Sequence, residues 1–132
     1  MIKIIVDTNF FLIPYQFGVD IFSEFNRIVP GVFELFIIDK TIDELEGIIE
    51  GQAGKNREAA KLGLTLVRAK IKSNQVSVLK TEKHLNVDQL ILNLLKEGRF
   101  AVATQDAGLK RRIKVLNSQL IVLRQMNYLE FI

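Results

Sequence analysis

The chain has 132 residues, 48% of them hydrophobic and 25% charged, the proportions of one globular domain (residues 1–132) that folds without a disulfide or a structural metal. Eighteen Lys and Arg against fifteen Asp and Glu leave a net charge of +3, a mild basic bias that permits an anionic partner without demanding one. The absence of Cys excludes thiolate zinc, iron–sulfur clusters and a cysteine nucleophile, and the single histidine, His84, excludes a two-His metal site within one chain.

Ile2-Lys3-Ile4-Ile5-Val6 is β-branched and nearly continuous, as in a strand buried on both faces of a parallel sheet. It is too short for the apolar core of a signal peptide, because Asp7 follows at once. Thr8 to Val19 is the longest run without charge, well below the ~20 residues a spanning helix needs. A cytoplasmic setting with no membrane partner is therefore expected. Asp20 to Ile28 places Ile21, Phe22, Phe25 and Ile28 at helical spacing, and Glu34 to Ile38 supplies a second strand after Pro30-Gly31. Helical periods follow over Thr41 to Ile49 and Lys55 to Lys72, with Gly47, Gly51 and Gly54 suggesting a mobile turn between them. Gln75 to Leu79 is the third strand. Val87 to Lys96 is a helix closed by Gly98, Phe100 to Thr104 the fourth strand, Leu109 to Leu116 a short basic helix and Leu120 to Leu123 the fifth strand. Alternation of this kind argues for a five-stranded parallel sheet covered by helices on both faces, an α/β fold of three layers.

The acids gain meaning once placed on this alternation. Asp7 directly follows the first strand and Asp106 follows the fourth, and in open α/β sheets the working crevice lies beyond the carboxyl ends of the strands. Glu44 stands in the first turn of the helix after the second strand, at the same rim. Asp88 stands in the first turn of the helix that leads into the fourth strand. Taken as a simple crossover, that helix begins at the opposite rim, so its first turn must be reoriented to reach the crevice.

Each acid also has a structural explanation. Thr41-Ile42-Asp43-Glu44 fits a capping box, Asp88 can stabilise the positive end of its helix, and Asp106 with Gly108 can form a turn or cap. Asp7 is harder to explain so, since an acid ending an apolar strand is costly to half-bury without a partner. Several acids at one crevice repel one another unless a cation sits among them. All-carboxylate donors suit Mg²⁺ or Mn²⁺, and the chemistry such an ion supports is activation of water for attack on a phosphodiester.

Asp7-Thr8-Asn9 after an apolar strand, Asp43-Glu44-Leu45, Asp88-Gln89-Leu90-Ile91 and Ala103-Thr104-Gln105-Asp106 together resemble the PIN-domain nuclease family, over Ile2 to about Leu123. The runs from Asp7 to Asp20 and from Ala103 to Ile113 are most similar to its ribosome-assembly branch and archaeal relatives. The resemblance implies a sheet of order 3-2-1-4-5 with Asp7 and Asp106 side by side, and it implies that Asp88 reaches their cleft. It makes Asp7, Glu44, Asp88 and Asp106 the catalytic, metal-binding quartet around one or two Mg²⁺ or Mn²⁺ ions, with Asn9 and Thr104 in support. It further implies an endoribonuclease acting on single-stranded RNA, an rRNA precursor among the candidates, and a homodimer. Many relatives carry further acids where this chain has Val87 and Gly108.

Lys110, Arg111, Arg112 and Lys114 begin four residues after Asp106 and form the expected RNA-binding surface, since a polyanion must be drawn toward carboxylates that would otherwise repel it. Lys55, Arg57, Lys61 and Arg68 are a second patch. Phe10, Phe11, Tyr15 and Phe17 suit a core or a dimer interface better than base stacking. Two alternatives to a free-standing ribonuclease stay open. One is a non-catalytic RNA-binding assembly module, suggested by Val87 and Gly108. The other is a toxin-type ribonuclease controlled by a partner protein over the cleft.

Overall fold

Within β1 (Ile2–Val6), Ile4 and Val6 join one core and Ile5 another, and the same division by alternate residues recurs along the sheet. The computed structural model describes residues 1–132. It assembles β1, β2 (Phe33–Ile38), β3 (Val76–Leu79), β4 (Ala101–Ala103), β5 (Leu120–Arg124) and β6 (Tyr128–Phe131) into one sheet of order β3-β2-β1-β4-β5-β6. The first five strands are parallel and β6 runs antiparallel to β5.

On one face, Leu35, Ile37, Ala103 and Ile121 continue the layer of Ile4 and Val6. A 3-10 turn over Thr8–Leu12 covers that layer, with α1 (Ile13–Phe17), α2 (Ile21–Ile28), α3 (Asp39–Gly51) and α4 (Gly54–Lys72). On the other face, Phe36, Ile38, Val102, Leu120 and Val122 join Ile5 beneath α5 (Val87–Glu97) and α6 (Ala107–Val115). Right-handed crossovers explain the division. The chain steps from β1 outward to β3, then returns past β1 to build β4 and β5 on its far side, so the later helices land on the opposite face. The reversal falls between β1 and β4, and their carboxyl ends open the crevice there.

The sixth strand departs from the five expected. The turn that creates it holds Gln125 and Met126 at φ 52° and 54°, left-handed values that Asn and Gly usually supply in such a turn. Gln-Met gives no such signal. The outer edge of β6 is closed from α2: the backbone N–H of Leu129 donates to Glu24 Oε1 at 2.9 Å, and Arg27 Nη2 donates to the Leu129 carbonyl at 3.0 Å. An acid–base pair thus occupies the groups that another strand would take.

Three smaller expectations are corrected. Helix α3 begins at Asp39, so Thr41 is not its cap and Glu44 lies beyond the first turn; the capping box does not form. Gly47 lies inside α3, leaving only Gln52 and Ala53 between α3 and α4. Helix α5 needs no reorientation. A helix that carries the chain back to the start of β4 begins where β3 ended, at the carboxyl rim, and Asp88 is delivered there by the ordinary crossover.

One close approach fixes the entrance to the crevice. A Cβ built on Gly63 of α4 would lie 2.3 Å from the carbonyl oxygen of Phe11. Only glycine lets α4 press against the 3-10 turn that carries Thr8 and Asn9.

Candidate metal and nuclease centre

Asp7 leaves β1 with its backbone still in the ladder, its N–H donating to Ala103 O at 2.9 Å. The side chain is 5% exposed. Its Oδ1 accepts from the Thr8 N–H at 2.8 Å and its Oδ2 from the Thr104 hydroxyl at 2.6 Å. Burial pushes this carboxyl up to about 6; the bonds from Thr104 and Thr8 resist, while the carboxylates of Asp88 and Glu44 add to the rise.

Thr104 serves both strand ends. Its hydroxyl oxygen also accepts from the Asp106 N–H at 3.0 Å, and Asp106 Oδ1 in turn accepts from the Leu109 N–H at 2.8 Å as the cap of α6. Asn9 ties the two loops together, its Oδ1 accepting from the Gln105 N–H and its carbonyl from Gln105 Nε2, both at 3.1 Å. The Thr8 hydroxyl donates to Glu44 Oε1 at 2.5 Å, linking α3 to the end of β1. Asn86 caps α5 through the Gln89 N–H at 2.8 Å and leaves Asp88 in its first turn. Burial raises the Asp88 carboxyl, the Asp106 carboxylate raises it further, and Arg112 works against both.

A cleft of about 570 Å³ is lined by Asp7, Glu44, Asp88 and Asp106, together with Thr8, Asn9, Asn86 and Gln52. None of the four acids lies within 4 Å of a Lys, Arg or His, although five Lys or Arg ion pairs form elsewhere on the molecule. No three Asp or Glu side chains are gathered tightly enough to hold one ion directly as they stand. Thr8, Gln52, Asn86 and Gln105 join the site without having been singled out from the sequence. Thr8, inside Asp7-Thr8-Asn9, and Gln105, inside Ala103-Thr104-Gln105-Asp106, carried a signal; Gln52 and Asn86 carried none.

Helix α6 buries Leu109 and Ile113 and turns Lys110, Arg111, Arg112 and Lys114 outward, none of them paired with an acid. Burial lowers the Lys110 ammonium, and the cations of Arg124 and Lys114 lower it further. Positive charge is therefore crowded beside the acidic cleft, offset at Lys110 by the Asp106 carboxylate and engaged with Asp88 through Arg112. The second basic patch is divided. Lys61 lies 3.8 Å from Glu58 and Arg68 lies 3.7 Å from Glu46, leaving Lys55 and Arg57 without an acid. Of the aromatic residues, Phe10 and Phe11 are buried and Tyr15 is exposed. No helix is long and apolar enough to cross a membrane.

Residues 4–126 match the family model described as PIN like domain. The chain is 34% identical over 131 residues to Ribonuclease VapC4 of Methanocaldococcus jannaschii, covering 98% of this chain and 96% of that protein. Its fold is similar to that in "Structure of the PIN domain endonuclease Utp24", with a TM-score of 0.76 at 22% identity, covering 98% of this chain and 90% of the other. The acids that close β1 and β4 at the sheet's reversal, and a family match that spans nearly the whole chain, place it without ambiguity: it belongs to the PIN-domain nuclease family.

Proposed function

We propose that the chain is a divalent-metal-dependent endoribonuclease of single-stranded RNA, with Asp7, Glu44, Asp88 and Asp106 as its metal-binding and catalytic residues. The observation that carries this reading is the state of Asp7: a buried carboxylate that faces two further acids and has no cation beside it. Such a cluster is costly without a compensating positive charge.

The donor set fits the ion. Four carboxylates with neighbouring amide and hydroxyl oxygens, and no sulfur or imidazole, suit Mg²⁺ or Mn²⁺ over zinc. Mg²⁺ usually retains several waters and takes only one or two carboxylates directly, so a loose quartet agrees with it. When bound, the ion supplies the positive charge that phosphodiester hydrolysis needs at the attacking and leaving oxygens.

The chain's own groups prepare the site. Thr104 and the Thr8 N–H fix the orientation of Asp7, Thr8 positions Glu44, and the cap bond orients Asp106. Lys110, Arg111, Arg112 and Lys114 draw the RNA backbone to the rim by releasing its condensed counterions, a contribution that weakens with salt. The relative named a ribonuclease supports RNA as the substrate. An rRNA precursor and a homodimer belong to the same proposal on the strength of the motif resemblance, and a cytoplasmic setting on the shortness of the uncharged runs.

The test is cleavage of a labelled single-stranded RNA in Mn²⁺ or Mg²⁺. Cleavage is expected to stop with EDTA and to fall at least ~100-fold in Asp7→Asn, the scale on which one electrostatic group at a reacting centre acts. Unchanged activity under both conditions contradicts the mechanism. RNA binding without cleavage or Mn²⁺ binding identifies a non-catalytic module instead.

A further inference from the structure

Beyond the acidic cleft, between α1 and the first turn of α4, lies a second hollow of about 530 Å³ lined by Tyr15, Gln16, Phe17, Lys55 and Asn56. The two spaces adjoin. Asn56 Nδ2 donates at 2.9 Å to Gln52 Oε1, and Gln52 lines the cleft, so this amide pair forms the sill between them. On the cleft side, Gly47 stands in the interior of α3 with no atom within 4 Å of where its Cβ would be. A helix-interior glycine gives up about 1 kcal/mol relative to alanine, and no packing contact at Gly47 calls for it. What it leaves is clearance along the α3 wall of the cleft.

The side chains of the hollow are similarly unused by the fold. Tyr15 is 45% exposed, whereas Phe10 and Phe11, from the same aromatic run, are buried. Its hydroxyl makes no hydrogen bond within the chain, and Lys55 makes neither a hydrogen bond nor an ion pair. Lys55 and Arg57 sit in the first turn of α4, where the helix field disfavours a cation and no acid compensates them.

We propose that the hollow is a nucleotide subsite: the ring of Tyr15 stacks on an unpaired base of the RNA strand while Lys55 meets an adjoining phosphate. The subsite rests on the reading of the cleft as an RNA-cleaving centre and extends it. With the cations of α6 beyond Asp106 and the Tyr15–Lys55 hollow beyond Gln52, a strand crossing the carboxylates is held on both sides of the bond to be cut. An aromatic face gives affinity without a strong sequence preference, since every base presents a π-face.

Tyrosine fluorescence provides the test, because the chain has no Trp and only one other tyrosine, Tyr128. In a Tyr128→Phe background, Tyr15 is the sole emitter. Short single-stranded RNA is titrated into this protein in EDTA, which separates binding from cleavage. We expect the Tyr15 emission to be quenched in step with binding. We expect Tyr15→Ala to weaken affinity roughly 5- to 100-fold and Tyr15→Phe to recover most of it. Lys55→Gln should lower the salt slope of binding by about 0.7. Binding with unaltered Tyr15 emission and unaltered affinity in Tyr15→Ala overturns the subsite, whether or not the chain cleaves RNA. So does failure of the parent protein to bind RNA at low salt. Loss of self-association in Tyr15→Ala with RNA affinity intact assigns the hollow to a second copy of the chain and also overturns it. Quenching and Tyr15-dependent affinity in a chain that never cleaves RNA uphold the subsite and reject the nuclease reading alone.

Discussion

Asp7 concentrates the conflict between folding and function in one carboxyl group. Its folded-state value of about 6 lies above the ordinary 3.8, so the folded protein holds this proton to higher pH than the unfolded chain does. The sign follows. Below about pH 4 both states are protonated and the group costs nothing; between about pH 4 and 6 the unfolded chain ionises first and stability falls; above about pH 6 the cost is complete. In EDTA at pH 7, Asp7→Asn should therefore be more stable than the parent by an amount on the order of 3 kcal/mol. The gain should vanish toward pH 4, as read from paired thermal melts. A variant less stable than the parent at pH 7 would show that Asp7 is compensated within the fold. Asp7 was legible in the sequence because it ends an apolar strand where no turn requires an acid, whereas Asp106 was legible only by its place after the fourth strand, since it also serves as the cap of α6. Thr104 was named as a support by the motif resemblance, but the role of Thr8 was less legible: a hydroxyl that reaches Glu44 depends on where the Thr8–Leu12 turn folds back, which no local pattern encodes.

At the scale of elements, the sequence showed strands and helices wherever hydrophobic period was strong, and missed those built from backbone geometry. Helix α5, with Leu90, Ile91 and Leu95 on one face, is plain from its spacing. Strand β6 is not, because its turn relies on left-handed Gln125 and Met126. Holding two such residues there costs of order 1 kcal/mol or more. Replacing them together, Gln125→Asn with Met126→Gly, is expected to raise the melting temperature by a few degrees, by about 1 kcal/mol of relieved strain. An unchanged or lower melting temperature would mean that the turn is not strained. Gly63 makes the opposite case. In an ordinary helix interior Gly63→Ala would stabilise by about 1 kcal/mol, but a methyl 2.3 Å from the Phe11 carbonyl must displace backbone. We expect a loss of about 1–3 kcal/mol in denaturant titration, accompanied by weaker Mn²⁺ binding as the Thr8–Leu12 turn shifts. Stability at or above the parent's would contradict the close packing of α4 on that turn.

Across the whole molecule, the topology makes distant acids neighbours. Asp7 and Asp106 are 99 residues apart in sequence, yet β1 and β4 are adjacent in the sheet and release them at the same rim. Right-handed crossovers then bring the second turn of α3 and the first turn of α5 to that rim from opposite faces, carrying Glu44 and Asp88. The chain order of the elements was enough to expect Asp7, Asp106 and Glu44 at one rim, Asp88 was brought there only by the motif resemblance, and the separations within the crevice depend on side-chain bonds that sequence does not reveal. The cations of α6, none of them in an ion pair, stand beside the crevice and complete its electrostatic plan: negative within, positive at the rim. The most direct measurement of whether these carboxylates share a divalent ion is anomalous diffraction at the manganese edge from crystals soaked in Mn²⁺. We expect an anomalous peak in the cleft, bounded by Asp7 and Asp106 and reached by Glu44 and Asp88 directly or through water, and its loss in Asp7→Asn. A cleft without a peak at saturating Mn²⁺, or a peak that persists unchanged in Asp7→Asn, would contradict it.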